Sequence, residues 1–154
     1  MNIRGAALFI LSLGLSLAAP AAKLYPEPAS ASADISAAVE QARHEGKRVL
    51  VDFGGDWCTD CKVLDVNMRK PENAVLLAQR FVVVHVNVGE RGITTNFDVA
   101  QRYGIPLGKG VPALAVLDSN GRVVYAQTAG EFENMRAMDP ASVHEFLVRW
   151  QGTP

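Results

Sequence analysis

The sequence predicts a single α/β domain: a central mixed sheet of four strands with helices on both faces. Strand-length apolar runs alternate with helical patterns along the chain, which implies parallel pairing, and an Asn-Gly turn late in the sequence adds an antiparallel pair. A length of 154 residues suggests one domain, and an apolar share of 49% with 20% charged residues is ordinary for a globular protein. Such a chain buries a core without needing a disulfide. The net charge of −1 is spread without a basic or acidic block, so nucleic acid is not an expected partner.

The elements follow in order. Met1 to Arg4 supplies one positive charge, Gly5 to Leu17 is free of charge, and Ala19-Pro20-Ala21 offers small residues at a cleavage site. Residues 1–21 therefore read as a cleavable export signal; the uncharged run 5–17 is short for a membrane span, which takes ~20 apolar residues, so an uncleaved anchor is the lesser alternative. Residues 22–33, rich in Ala, Pro and Ser, read as a flexible linker, and 34–151 as the folded domain. Asp34 or Ser32 caps a helix running to about Glu45, with Ile35, Ala38, Val39 and Ala42 on one face, and Gly46 ends it. Arg48 to Phe53 is a central strand covered on both sides. After Gly54-Gly55-Asp56 a helix begins around Cys58, and a second opens at Pro71 and runs to Gln79. Phe81 to Val88 is the clearest strand, and Asn96 to Tyr103 a short helix stopped by Gly104. Ala113 to Asp118 and Arg122 to Thr128 flank the hairpin turn Ser119-Asn120-Gly121. Asp139-Pro140 opens the last helix, where Val143, Phe146, Leu147 and Trp150 share a face.

The chain has two cysteines, Cys58 and Cys61, too close together to staple a fold. Their pairing points to reactivity. A thiol at the start of a helix meets unpaired N–H groups and the positive end of the helix dipole. Both favour thiolate, so the pKa of Cys58 is expected below the usual value of about 8.5. Thiolate is the attacking species in disulfide exchange, and Cys61, one turn on, is placed to resolve the mixed disulfide. Trp57 would cover one side of the pair. Structural zinc needs four ligands, and His44, His85 and His144 have no ligand spacing. Haem attachment needs His where Lys62 stands. Two thiolates and a histidine can hold Cu(I), so a Cu(I)-binding metallochaperone is the alternative from another class.

Val51-Asp52-Phe53-x3-Trp57-Cys58-x-x-Cys61-Lys62, followed by Val111-Pro112, resembles the thioredoxin superfamily, with the periplasmic thioredoxin-like reductases the nearest type. The resemblance spans Asp34 to about Gln151. It implies a cis peptide bond before Pro112, backbone atoms of Val111 that bind an incoming substrate as a short strand, and a buried acid, Asp52, that moves protons. In that setting Thr59 and Asp60, where ordinary thioredoxin has Gly-Pro, tune the potential, as does Lys62. Asp60 should disfavour the thiolate and make the couple more reducing. The family's lysine on the second core strand corresponds to His85, which either tunes Asp52 or is a structural histidine on an apolar strand. Residues 104–110 and 131–139 are longer than the family pattern and form either a substrate-contacting rim or decoration. The resemblance further implies dithiol–disulfide exchange with protein partners, in the reducing direction. A membrane-embedded donor is expected in a periplasmic or secreted setting, with a monomer and no metal or organic cofactor.

Overall fold

Residues 23–152 are described by a computed structural model whose centre is the strand Arg48–Gly54 (β1). The export signal expected over residues 1–21 lies outside them. β1 pairs in parallel with Phe81–Asn87 (β2) on one side and antiparallel with Ala113–Leu117 (β3) on the other. β3 pairs antiparallel with Val123–Ala126 (β4), giving the order β2-β1-β3-β4. This is the four-stranded mixed sheet expected. The β3–β4 turn is set by Asp118, whose Oδ1 accepts the backbone N–H groups of Asn120 (2.9 Å) and Arg122 (3.0 Å). Gly121 takes the left-handed conformation there (φ 78°).

The helices are Ala31–Glu45 (α1), Thr59–Met68 (α2), Pro71–Arg80 (α3), Phe97–Arg102 (α4) and Ala141–Trp150 (α5). Side chains alternate across β1, so Val49, Val51 and Phe53 join Ile35, Ala38 and Ala42 of α1, together with Val86, Ile105 and Leu107. Leu50 points to the other face. There it meets Leu64 and Met68 of α2, Leu77 of α3 and Val143 and Leu147 of α5. Fully buried leucines such as Leu50, Leu64, Leu114 and Leu147 are worth roughly 1.5–3 kcal/mol each relative to exposure. Apart from Asp52, both faces of β1 are thus apolar, which is why the strand reads as a mostly apolar run.

Two expectations need correction. The stretch taken as a linker is folded from its first described residues: Tyr25 is fully buried, Pro28–Ser30 forms a 3-10 turn, and α1 starts at Ala31 rather than at Ser32 or Asp34. Its anchors are polar groups distant in sequence. Asp56 Oδ1 accepts the Leu24 N–H (3.0 Å), Asn87 Nδ2 donates to the Pro26 carbonyl (3.0 Å), and Asn96 Nδ2 donates to the Pro28 carbonyl (2.9 Å). Such contacts leave no periodic trace. The last helix begins at Ala141, with Asp139 outside it accepting the Ala141 N–H (2.8 Å).

Candidate active site

β1 ends at Gly54 and delivers the chain through Gly55-Asp56-Trp57 to Cys58, the N-cap of α2. Cys58 is extended (φ −82°, ψ 113°), and its Sγ accepts the Cys61 backbone N–H at 3.1 Å. Cys58 and Cys61 are joined as a disulfide with Cα atoms 5.3 Å apart. Cys61 is wholly covered while Cys58 keeps a small exposed edge, so an incoming sulfur reaches Cys58 first. An N–H aimed at that sulfur, with the helix dipole behind it, stabilises the thiolate that reduction creates. The Val111–Pro112 bond is cis, as expected, and the Val111 carbonyl oxygen lies 3.6 Å from Cys58 Sγ. Trp57 is pinned by its indole N–H to the Gly89 carbonyl (2.6 Å) and stays about a third exposed (36%), an apolar surface beside the pair.

Asp52 is buried on β1, directly opposite His85 in the β1–β2 register. Its Oδ2 accepts from the Tyr25 hydroxyl (2.8 Å) and pairs with His85 Nδ1 (2.9 Å), while Oδ1 is buried without a partner among the described residues. Gly54 makes room for this cluster: a Cβ there would collide with both the Tyr25 hydroxyl and Cys61 Sγ. Burial and then the Asp52 charge and hydrogen bond push the Tyr25 phenol far above its ordinary value, so it stays a neutral donor. For His85, burial is the largest influence and favours the neutral ring. The Asp52 hydrogen bond and charge, with Asp65, outweigh it against Arg69, and the pKa is raised.

Asp60 does not present an open negative charge to the cysteines. Its carboxylate is held by Arg136, whose backbone N–H (3.1 Å) and Nε (3.2 Å) donate to Oδ1 and whose terminal nitrogen donates to Oδ2 (3.1 Å). Hydrogen bonding from Arg136 keeps the Asp60 carboxyl below its ordinary pKa. A carboxylate paired in this way exerts a weaker field on its surroundings than an unpaired one would. Residues 131–139, meanwhile, are docked on α2 through this pair, with Phe132 and Met135 buried. They also meet the other long loop: a Cβ on Gly110 would lie 2.7 Å from Glu133 Oε2. Behind the cis bond, buried Gln127 donates from Nε2 to the Pro112 carbonyl (3.2 Å) and accepts the Leu114 N–H (3.2 Å).

The structure thus brings together Trp57, Cys58, Cys61, Val111 and Pro112, with the Asp52–His85 pair on the neighbouring strands. Thr59 and Lys62 are exposed on the first turn of α2. Tyr25, Gln127 and Arg136 were not anticipated. Only Gln127 left a trace, as a polar residue among strand-forming neighbours. Among the described residues no group of three or more His, Cys, Asp or Glu is disposed to hold a metal ion, and His85 is engaged by Asp52.

The family model described as "Thioredoxin-like" matches residues 30–119. The thioredoxin of Buchnera aphidicola subsp. Schizaphis graminum is 32% identical over 91 residues, 59% of this chain and 73% of its own length. Thiol:disulfide interchange protein DsbD 1 of Pseudomonas aeruginosa is 33% identical over 75 residues, 44% of this chain, and the match spans only 12% of that longer protein. A disulphide isomerase from Xylella fastidiosa Temecula1 superposes with a TM-score of 0.77 at 34% identity, over 84% of this chain and 98% of the isomerase. A thioredoxin from Thermus thermophilus, with a TM-score of 0.54 at 24% identity over 81% and 83% of the two chains, shares the fold. The Cys58–Cys61 disulfide at a helix amino end, a cis-proline against it and this kinship agree: the chain belongs to the thioredoxin-like family of thiol–disulfide oxidoreductases.

Proposed function

We propose that the protein reduces disulfides of other proteins in an extracytoplasmic compartment. In that reaction the Cys58 thiolate attacks a substrate disulfide, forming a mixed disulfide and releasing one substrate thiolate. Cys61 then gives its proton to Asp52 and attacks Cys58, releasing the second thiolate and closing the Cys58–Cys61 disulfide. Two electrons pass from the protein to the substrate, and an external dithiol donor restores the starting state. Trp57, Val111 and Pro112 form the contact surface, with the Val111 backbone offering a strand edge. Thr59, Asp60 and Lys62 set the potential. The observation carrying the reading is the Cys61 N–H directed at Cys58 Sγ beside the Val111 carbonyl. The reducing direction and the membrane-embedded donor draw support from the resemblance to the periplasmic thioredoxin-like reductases, and the compartment from that resemblance and the apolar run at residues 5–17.

Turnover of insulin disulfides with dithiothreitol tests the chemistry: activity in the wild type and its loss in Cys58→Ser are expected. Partners trapped by Cys61→Ser in intact cells test compartment and direction together. Exported proteins held as mixed disulfides, with a membrane donor among them, are the expected catch.

A further inference from the structure

We propose that His85 is the charge-compensating, solvent-facing end of the proton site: it releases a proton to water as Asp52 takes one from Cys61, and recovers it when the disulfide is reduced again. The inference rests on the proposed oxidoreductase reading and concerns how the buried acid can work at all.

Asp52 is almost wholly buried (1% exposed), and its protonation changes in each half-cycle of that reading. Changing the net charge of a group so far from water is costly unless a neighbour changes in the opposite sense. Around Asp52, only one contact among the described residues can do this. Tyr25 donates a hydrogen bond but is locked neutral, with its pKa raised by burial and by Asp52. His85 faces Asp52 through Nδ1, while its side chain stays 21% exposed and lines a surface cleft of about 420 Å³ with Pro26, Asp34, Ala38 and Gln41. One end of the ring is therefore tied to the acid and the ring as a whole reaches water. The charged and titratable groups bearing on it are Asp52 on β1, Tyr25 from the amino-terminal segment, Asp65 on α2 and Arg69 just after it, and Asp34 of α1 across the cleft.

The proton count closes. With the cysteines reduced, Asp52 is a carboxylate and His85 an imidazolium, so the pair carries no net charge. When Cys61 is deprotonated to attack Cys58, its proton goes to Asp52 Oδ1, the oxygen with no hydrogen-bond partner among the described residues. The Asp52 charge that held the second proton on His85 is then gone, while the burial that opposes it remains, and His85 loses that proton through the cleft. The pair is again neutral, now as carboxylic acid and imidazole with Nδ1–H still on Oδ2. Re-reduction reverses both transfers. Tyr25 acts as a positioning residue, sharing Oδ2 with His85 and leaving Oδ1 free.

The test is single-turnover closure of the mixed disulfide between Cys58 and a small aromatic thiol, followed from pH 5 to 9 in wild type, His85→Ala and His85→Gln. Near-UV circular dichroism and melting verify each variant's fold. The wild type should show a break in the histidine range. Both variants should close about tenfold more slowly, within the usual span of coupling between linked sites, and lose the break. Free imidazole should restore His85→Ala, whose vacated ring site opens on the cleft, and should not restore His85→Gln. Wild-type rate and profile in folded His85→Gln would overturn the proposal, as would a slow His85→Ala that imidazole never accelerates. Absence of turnover in the wild type, or its persistence in Cys58→Ser, would instead remove the oxidoreductase reading beneath it.

Discussion

Arg136 governs how much of the Asp60 charge reaches the cysteines. Removing it in Arg136→Ala exposes a carboxylate two residues from Cys58, which destabilises the thiolate and hence the reduced form. The potential should become more negative by about 20 mV, the scale of a solvent-accessible ion pair. Adding Asp60→Asn should cancel the shift, as titration against glutathione would show. Gln127 bridges two backbone groups behind Pro112, so Gln127→Leu leaves a buried carbonyl and N–H unpaired and should cost about 1–3 kcal/mol in urea unfolding. His85 carries a pH dependence of its own. Its folded pKa lies above the unfolded value of about 6.5, so its stabilising effect is full below that value and fades as pH rises through the folded pKa. Unfolding midpoints of the reduced wild type, in which Asp52 carries its charge, should fall across that window, and those of reduced His85→Gln should be flatter.

At the scale of elements, the strands and helices were largely legible because their signals are local. Val49 to Phe53 is apolar except for Asp52, Pro71 opens α3, and the Asn120-Gly121 pair sits in the β3–β4 turn. The cysteine pair was legible for the same reason, since its spacing marks it, whereas Val111-Pro112 was legible only through the resemblance to the thioredoxin superfamily. The amino-terminal segment was not legible: one tyrosine and a few backbone groups are bound by Asp52, Asp56, Asn87 and Asn96, and no window of sequence contains both sides of those contacts. Residues 131–139 were opaque too, because Arg136 finds Asp60 across 76 positions. This loop and residues 104–110 touch at Gly110, whose φ of 101° and lack of Cβ admit Glu133. Gly110→Ala should therefore strain the backbone and push the loops apart, lowering insulin turnover while the far side of the sheet keeps its hydrogen-exchange protection.

The molecule as a whole is a sheet whose central strand ends at the chemistry, with the helix that follows carrying both sulfurs. Covering it requires segments from both ends of the chain. Leu147 of α5 is buried beneath the same face as Leu64 of α2, and Leu147→Ala should cost roughly 2–5 kcal/mol with a lower melting temperature. The stretch matched by the family model, residues 30–119, contains Cys58, Cys61 and Pro112 yet omits Tyr25, Gln127 and Arg136. A fragment cut to those limits would keep its pair of sulfurs and lose what steadies the acid, the proline and the helix. Anyone grafting this centre onto another scaffold inherits the same arithmetic: transplanting Trp57 to Lys62 moves the reactive atoms and leaves their regulators behind.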